Sequence, residues 1–177
     1  MSRINSKKKG SRFERVVCKA FTEWSGYEFS RTPQSGGLRW KKADNISSDV
    51  VCTDPIHNSK CPFSIECKNH QSINFEHPLL GNKNCKIKDF WDQATNDANR
   101  ANKVPLLIMR YNSMSSGEAF FAVGPELHEY MKAYIDNYTH IHTPDGLDIV
   151  IYLLSEVMDS IQYNAFYKFA RKLLKKG

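Results

Sequence analysis

The chain carries an acid and a lysine two positions apart, Glu66 and Lys68, in its only acid-x-Lys triplet. The triplet closes a short apolar run, Phe63-Ser64-Ile65, which is typical of a buried strand. Because side chains alternate along a strand, Glu66 and Lys68 point to one face, roughly 6.6 Å apart at about 3.3 Å per residue. A metal ligand beside an ammonium group favours phosphodiester hydrolysis. We expect the face that holds Ser64, Glu66 and Lys68 to line a cleft.

A second acid, Asp49, opens another short run, Val50-Val51-Cys52, upstream of the triplet. Adjacent strands lie about 4.8 Å apart, so Asp49 and Glu66 at matching heights can share one cation. Oxygen ligands of this kind favour Mg²⁺ or Mn²⁺. Two alternatives stay open: Asp49 is an ordinary strand-start residue, or Glu66 and Lys68 form a solvent-facing ion pair on an edge strand.

A third acid, Glu14, lies on a predicted amphipathic helix and shares a face with Val17, Cys18 and Phe21. A carboxylate that leans toward the core needs a partner, and a metal ion is one. The alternative is a capping box, because Ser11 and Glu14 have the spacing in which the serine caps the helix and the glutamate reaches back.

Other polar residues give weaker indications. The amide of Gln93, early in the helix after the third strand, could reach the same site or be solvated. The six histidines lack metal-ligand spacing, and His140 and His142 are better explained as a surface pair. Ser35 has no obvious histidine or acid partner, and Gly36-Gly37 do not open a helix as a phosphate loop does.

Composition restricts the classes of protein that the chain can belong to. With 177 residues, 41% of them hydrophobic and 12% aromatic, it predicts one folded domain rather than general disorder. No apolar run approaches the roughly 18 residues that span a bilayer, and the basic N-terminus lacks the apolar segment of a secretory signal. Five scattered cysteines without a C-x-x-C favour reduced thiols, so we expect an intracellular, cytoplasmic protein with no membrane partner.

A net charge of +6, with a pI near 9.0, is compatible with nucleic acid as the partner. The excess is concentrated in four groups that flank the acidic residues. The basic residues predicted to contact DNA are Lys8, Lys9, Arg12, Arg31, Arg39, Lys41 and Lys42.

The predicted elements alternate between helix and strand. A flexible basic arm, 1–9, precedes a helix over Ser11–Ser25 and strands over Tyr27–Arg31, Ser48–Thr53 and Pro62–Lys68. A helix over Asp89–Asn102 and strands over Val104–Arg110 and Ala119–Val123 follow, then a helix over Pro125–Tyr138, a strand over Leu147–Leu154 and a helix over Asp159–Lys175. This order predicts an α/β fold with a mixed sheet, in which the first three strands are antiparallel and a helix crosses over to the fourth. The long polar segment Asn69–Lys88 is a candidate for substrate binding.

The motifs together resemble the PD-(D/E)xK nuclease superfamily, and within it the archaeal-type Holliday junction resolvases. The matching pieces lie in the first 70 residues: Lys9-Gly10-Ser11-Arg12-Phe13-Glu14-Arg15, Arg31-Thr32-Pro33-Gln34-Ser35-Gly36-Gly37, Ser48-Asp49-Val50-Val51 and Ile65-Glu66-Cys67-Lys68. Ser48 stands where the superfamily name has proline, and the loop from Gly37 to Asp49 is longer and more basic than in a minimal resolvase.

The resemblance implies a restriction-endonuclease-like αβββαβ core over 10–124. Residues 125–177 lie outside the match, and we expect them to form a C-terminal extension packed on the same domain. It implies Glu14, Asp49 and Glu66 as metal ligands, with the Cys67 backbone carbonyl as another, and Lys68 as the catalytic lysine. It places Ser35 near the scissile backbone and extends more weakly to Gln93.

The resemblance further implies a homodimer that cuts DNA, possibly a four-way junction, with Mg²⁺ or Mn²⁺, leaving 5′-phosphate and 3′-hydroxyl ends. The remaining alternatives are a restriction- or repair-type endonuclease acting on duplex DNA, a catalytically silent DNA-binding module, and a basic interaction protein.

Overall fold

A computed structural model describes residues 6–32, 48–81 and 85–175 of the chain. Its strands are β1 (Phe29–Arg31), β2 (Val50–Cys52), β3 (Phe63–His70), β4 (Val104–Tyr111), β5 (Phe120–Val123), β6 (Thr139–His142) and β7 (Asp148–Leu153). Its helices are α1 (Ser6–Ser25), α2 (Glu76–Leu79), α3 (Lys86–Ala101), α4 (Pro125–Met131), α5 (Leu154–Ser160) and α6 (Tyr163–Leu173).

One mixed sheet of seven strands runs through the described part of the chain, in the order β1-β2-β3-β4-β5-β7-β6. β1 and β2, and β2 and β3, are antiparallel, whereas β3 and β4 are parallel. The parallel pair needs a crossover, and α3 supplies it between the two strands. The predicted α/β fold, with its antiparallel start and helical crossover, is confirmed.

Helices cover both faces of the sheet. On one face, α1, α4, α5 and α6 pack over β3, β4, β5 and β7 in a core that includes Phe21, Ile65, Phe121 and Phe166. On the other face, α3 packs over Leu107 of β4 and its neighbours. The sheet is therefore buried on both sides, which is the usual outcome when a parallel crossover places a helix on a sheet face.

The first helix buries Phe13, Val17 and Phe21, which recur every four residues on one stripe. It begins at Ser6 rather than at Ser11, so residues 6–9 of the predicted arm are helical, and 1–5 lie outside the described residues. Lysine is a good helix former, which explains why a basic segment continues the helix. Gly26, at φ 75°, ends it in a left-handed conformation that glycine adopts without strain.

The second half of the chain differs from prediction at three places. α4 ends at Met131 instead of Tyr138. The predicted helix over Asp159–Lys175 begins only at Tyr163, as α6, because Ile161 and Gln162 separate it from α5. Neither α5 nor the edge strand β6 was predicted. β7 pairs with β5 and β6 with β7, so residues after 124 extend the sheet.

Within the described ranges, no helix has the length and apolar character needed to cross a membrane.

Candidate active site

The acid-x-Lys triplet lies on β3, an interior strand between β2 and β4. Ile65 and Cys67 belong to the core under α1, while Glu66 and Lys68 face α3. Glu66 is only 3% exposed and the Lys68 side chain 18%. The alternative of a solvent-facing pair on an edge strand is therefore wrong. The two residues do form an ion pair, but a buried one.

Three side chains close a hydrogen-bonded triangle on this face. Lys68 Nζ lies 2.5 Å from Glu66 Oε1 and 2.9 Å from Gln93 Oε1, and Gln93 Nε2 donates to Glu66 Oε1 at 2.7 Å. The ammonium also lies 5.8 Å from the ring centroid of Phe90, a favourable cation–π distance. Of the two alternatives for Gln93, contact with the site is the one found, and the residue is also exposed. Ser64 and Glu66 are buried on this face, whereas Lys68 is only partly buried, so the cleft along this face stays a prediction.

Asp49 lies where the ladder between β2 and β3 ends. Its backbone N–H donates to the Ile65 carbonyl at 3.0 Å, and its carboxylate Oδ2 accepts the Cys67 N–H at 2.9 Å. The carboxylate thus takes the place of a further strand residue as partner of Cys67. The N–H and C=O of one strand residue point to the same edge, so the Cys67 carbonyl also points toward the Asp49 side.

Burial raises the pKa of both carboxyl groups. Burial raises the pKa of Glu66 to about 7, the Asp49 charge adds to the rise, and Lys68 opposes it. Burial also raises the pKa of Asp49, with the Cys67 N–H lowering it and the charge of Glu14 raising it. Two carboxylates that repel each other in a poorly solvated place create a demand for positive charge.

Glu14 is held by Arg31 of β1, whose Nε lies 2.5 Å from Glu14 Oε2. The same guanidinium donates from Nη2 to Ser11 Oγ at 2.9 Å. The capping-box alternative is wrong, because α1 begins at Ser6 and Ser11 is therefore inside the helix. The charge of Arg31, predicted to contact DNA, is engaged by Glu14 in the structure.

The donor set fits a hard divalent cation in its chemistry, since carboxylate and carbonyl oxygens are the ligands of Mg²⁺ and Mn²⁺. Asp49, Glu66 and the Cys67 carbonyl are the groups that would hold it. Glu66 nevertheless lies in an ion pair with Lys68, and in the described ranges no group of three or more His, Cys, Asp or Glu residues is arranged to hold a metal ion. To bind the metal, Glu66 would release the ammonium group of Lys68, and Glu14 would release the guanidinium group of Arg31.

The residues predicted to contact DNA fall into two sets. Lys8 and Arg12 are exposed on α1, and the Lys9 amino group lies 3.4 Å from the His70 carbonyl and contacts the Asn112 side chain. The other set lies outside the described residues: Ser35, Arg39, Lys41 and Lys42.

Sequence reasoning missed Asp97, a buried acid on α3. It pairs with Arg100, and its charge contributes to the raised pKa of Glu66. Asp97 lies four residues after Gln93, so helical spacing alone puts both on the face that meets β3. It also missed the buried hydrogen bond of 2.7 Å between the hydroxyls of Ser48 and Ser64, which ties the residue before Asp49 to β3.

Comparison with known proteins adds one match. The model of the family described as "Phage putative PDDEXK endonuclease" matches residues 5–168, which include every one of these site residues. No curated protein and no solved structure matches the chain. With an acidic and lysine-bearing strand at the centre of an α/β fold, the chain belongs to this phage PDDEXK endonuclease family, within the PD-(D/E)xK superfamily.

Proposed function

We propose that the protein is a metal-dependent endonuclease that hydrolyses phosphodiester bonds in DNA, with Mg²⁺ or Mn²⁺ as its cofactor. One observation carries the proposal: the hydrogen-bonded triangle of buried Glu66, partly buried Lys68 and exposed Gln93, with Asp49 beside it, in a member of an endonuclease family. An ion pair that only stabilises the fold gains nothing from a second carboxylate, because the Asp49 charge raises the pKa of Glu66. A metal site, by contrast, uses both carboxylates as ligands.

Asp49, Glu66 and the Cys67 carbonyl would hold the cation, and Glu14 is proposed as a further ligand that exchanges its ion pair with Arg31. When bound, the divalent cation supplies Lewis acidity toward the phosphate group and activates water for attack.

Lys68 is the residue proposed to act directly on the phosphate. Its ammonium is fixed by Glu66 Oε1 and Gln93 Oε1, so it is oriented before the substrate arrives. A fixed positive charge stabilises the negative charge that develops on the phosphate oxygens in the transition state. Gln93 is a positioning residue, because its amide contacts both Lys68 and Glu66.

DNA is the proposed substrate because the chain is basic and its first helix carries exposed cations. Lys8, Arg12 and Arg15 are exposed on α1, the helix that also carries Glu14. Phosphate contacts by such residues release counterions, so we expect binding to weaken steeply with salt.

The narrower proposal is that the substrate is a branched DNA such as a four-way junction and that the protein acts as a homodimer. It rests on the likeness of the motifs around Glu14, Ser35, Asp49 and Glu66 to the resolvases. A two-fold symmetric enzyme suits a junction, because the junction presents paired strands to be cut.

The test is Mg²⁺-dependent cleavage of a labelled four-way junction beside a linear duplex built from the same arms. Lys68→Met keeps the volume of the partly buried side chain and removes the charge, and Lys132→Ala is the control, since the Lys132 side chain is 45% exposed and lies outside α1. Paired nicks in the junction alone, absent in Lys68→Met and present in Lys132→Ala, would support both the nuclease activity and the junction specificity. Cleavage of both substrates would remove the junction specificity. Cleavage of neither by the native chain, with binding retained, would overturn the nuclease proposal.

A further inference from the structure

A concavity lined by aromatic and basic side chains lies at the other end of β2 from Asp49. It has a volume of about 260 Å³ and is lined by Tyr27, His57, Lys60, Asn164, Tyr167 and Lys168. Asp49 precedes β2, while His57 lies in the turn that follows it. The extended stretch from Asp49 to Thr53 covers about 13 Å at about 3.3 Å per residue, or about four steps of a DNA strand at 3.4 Å each.

Aromatic rings form the walls of this cavity and are fixed in place. The rings of Tyr27 and His57 stack with centroids 3.8 Å apart and planes 25° apart. His57 Nδ1 lies 3.0 Å from Asp54 Oδ1, which also accepts the backbone N–H of His57. The Tyr167 hydroxyl donates to the Lys60 carbonyl at 2.9 Å. Rings held in this way lose little conformational freedom when a flat ligand packs against them.

Cations form the rim. Lys60 and Lys168 are exposed, and the Arg171 guanidinium lies 3.5 Å from the Lys60 carbonyl. The carboxylate of Asp54 is already engaged by His57, so the rim keeps a positive character. The exposed Asn164 adds an amide that can both donate and accept hydrogen bonds.

We propose that this cavity binds one unpaired nucleobase of a DNA strand together with its neighbouring phosphate. The base packs against the aromatic walls, Asn164 meets its polar edge, and Lys60 and Lys168 contact the phosphate. Aromatic side chains interleaved with cations are what single-stranded nucleic acid binds, because every base has a π-face and every linkage a charge.

The size of the cavity excludes a base pair in a duplex. Its volume lies just below the range of about 300–1,000 Å³ that drug-sized ligands occupy, which suits a single planar ring system. A base stacked in a duplex cannot enter, so the cavity selects DNA with an unpaired segment a few nucleotides from the bond to be cut. The choice of DNA as the ligand rests on the proposed function; the cavity itself does not.

The test uses the full native chain in a metal chelator, so that nothing is cleaved, with the 5′-phosphorylated dinucleotide pTpT as the probe. Ring signals of tyrosine and histidine are followed by NMR. We expect saturable shifts of the Tyr27, His57 and Tyr167 signals. The double variant Tyr167→Leu/Lys168→Ala should bind pTpT at least about tenfold more weakly, the loss expected for one base–aromatic stack and one phosphate contact.

The matched control is Tyr134→Leu/Lys132→Ala, which removes an exposed tyrosine and an exposed lysine outside the cavity and should bind within about twofold of the native chain. Equal weakening in both double variants, or no shift of the cavity signals at any pTpT concentration, would overturn the inference. So would inorganic phosphate that shifts the same ring signals as strongly as pTpT, because the base would then contribute nothing. Cleavage activity without pTpT binding refutes the cavity alone, and pTpT binding without cleavage refutes the nuclease alone.

Discussion

Replacing Glu66 by glutamine should change how the free energy of unfolding depends on pH. Glu66 lies between β2, β4 and α3 with almost no exposure, and burial raises the pKa of its carboxyl group from 4.5 to about 7. Glutamine has nearly the same shape, and its side-chain oxygen can still accept from Lys68 and Gln93. The substitution therefore removes the titration while keeping much of the packing.

The sign follows from the direction of the shift. A carboxyl group whose folded pKa is raised contributes stability that is fully present below 4.5 and is lost as the pH rises through 7. In this window the native state binds more protons than the unfolded state. Integrating the two titration curves between about pH 5 and about pH 8 gives a loss on the order of 2.5 kcal/mol from this one group.

The assay is urea-induced unfolding of the native chain and of Glu66→Gln, in a metal chelator, at several pH values across that window. The quantity compared is the unfolding free energy of the variant minus that of the native chain. This difference should rise with pH by about 2.5 kcal/mol. Any constant effect of the substitution on Lys68 cancels, because only the slope is used. Glu23→Gln is the control and should give a flat difference, since Glu23 is 67% exposed on α1.

A flat difference for Glu66→Gln would refute the reasoning. It would mean that the carboxylate stays ionised at no cost despite its burial and its neighbour Asp49, so the ion pair with Lys68 would fully offset desolvation. A difference that falls with pH would mean that the folded pKa is lowered, and the argument that this place demands a cation would fail with it.

Three further outcomes are expected. Mg²⁺ should raise the melting temperature of the native chain in scanning fluorimetry but not that of Asp49→Asn, and an equal rise in the variant would show that the cation binds elsewhere. Gln93→Leu should slow single-turnover cleavage about tenfold or more, as expected for a residue that orients a catalytic group, while DNA affinity by gel shift stays within about twofold. Phe166→Ala should lower the unfolding free energy by about 3–5 kcal/mol in urea, because its ring packs in the core 5.1 Å from that of Phe63; a loss below about 1 kcal/mol would contradict the packing argument.

The sequence predicted the central part of the fold because its patterns there are strong. The first helix is clear from the helical spacing of Phe13, Val17 and Phe21. The third strand is clear from the apolar run that ends in Glu66-Cys67-Lys68. Strand alternation also placed Glu66 and Lys68 on one face correctly. The errors fall where the pattern is weak: β6 is a four-residue edge strand with one buried position, and the break between α5 and α6 at Ile161 carries no glycine or proline.

Contacts between distant elements could not be predicted in the same way. The pair of Arg31 and Glu14 joins β1 to α1, and nothing in the local sequence around either residue indicates it. Helical spacing from Gln93 could have predicted which face of α3 carries Asp97. Its effect on the pKa of Glu66 could not be predicted, because that effect depends on how α3 lies across β3. The exposed fraction of that face likewise depends on packing, because Glu66 is buried there while Gln93 beside it is exposed.

The packing of α6 against α1 also has a consequence for synthesis. Trp24 of α1 lies edge-on to Tyr163, with centroids 5.1 Å apart, and its indole N–H donates to the Ile161 carbonyl at 2.7 Å. A chain emerging from the ribosome delivers α1 first and α6 nearly last, so the core beneath Glu14 stays incomplete until Tyr163 and Phe166 have been made. The acids and the lysine are therefore present on the nascent chain long before their scaffold closes. The candidate active site thus gains its mature geometry only late in translation.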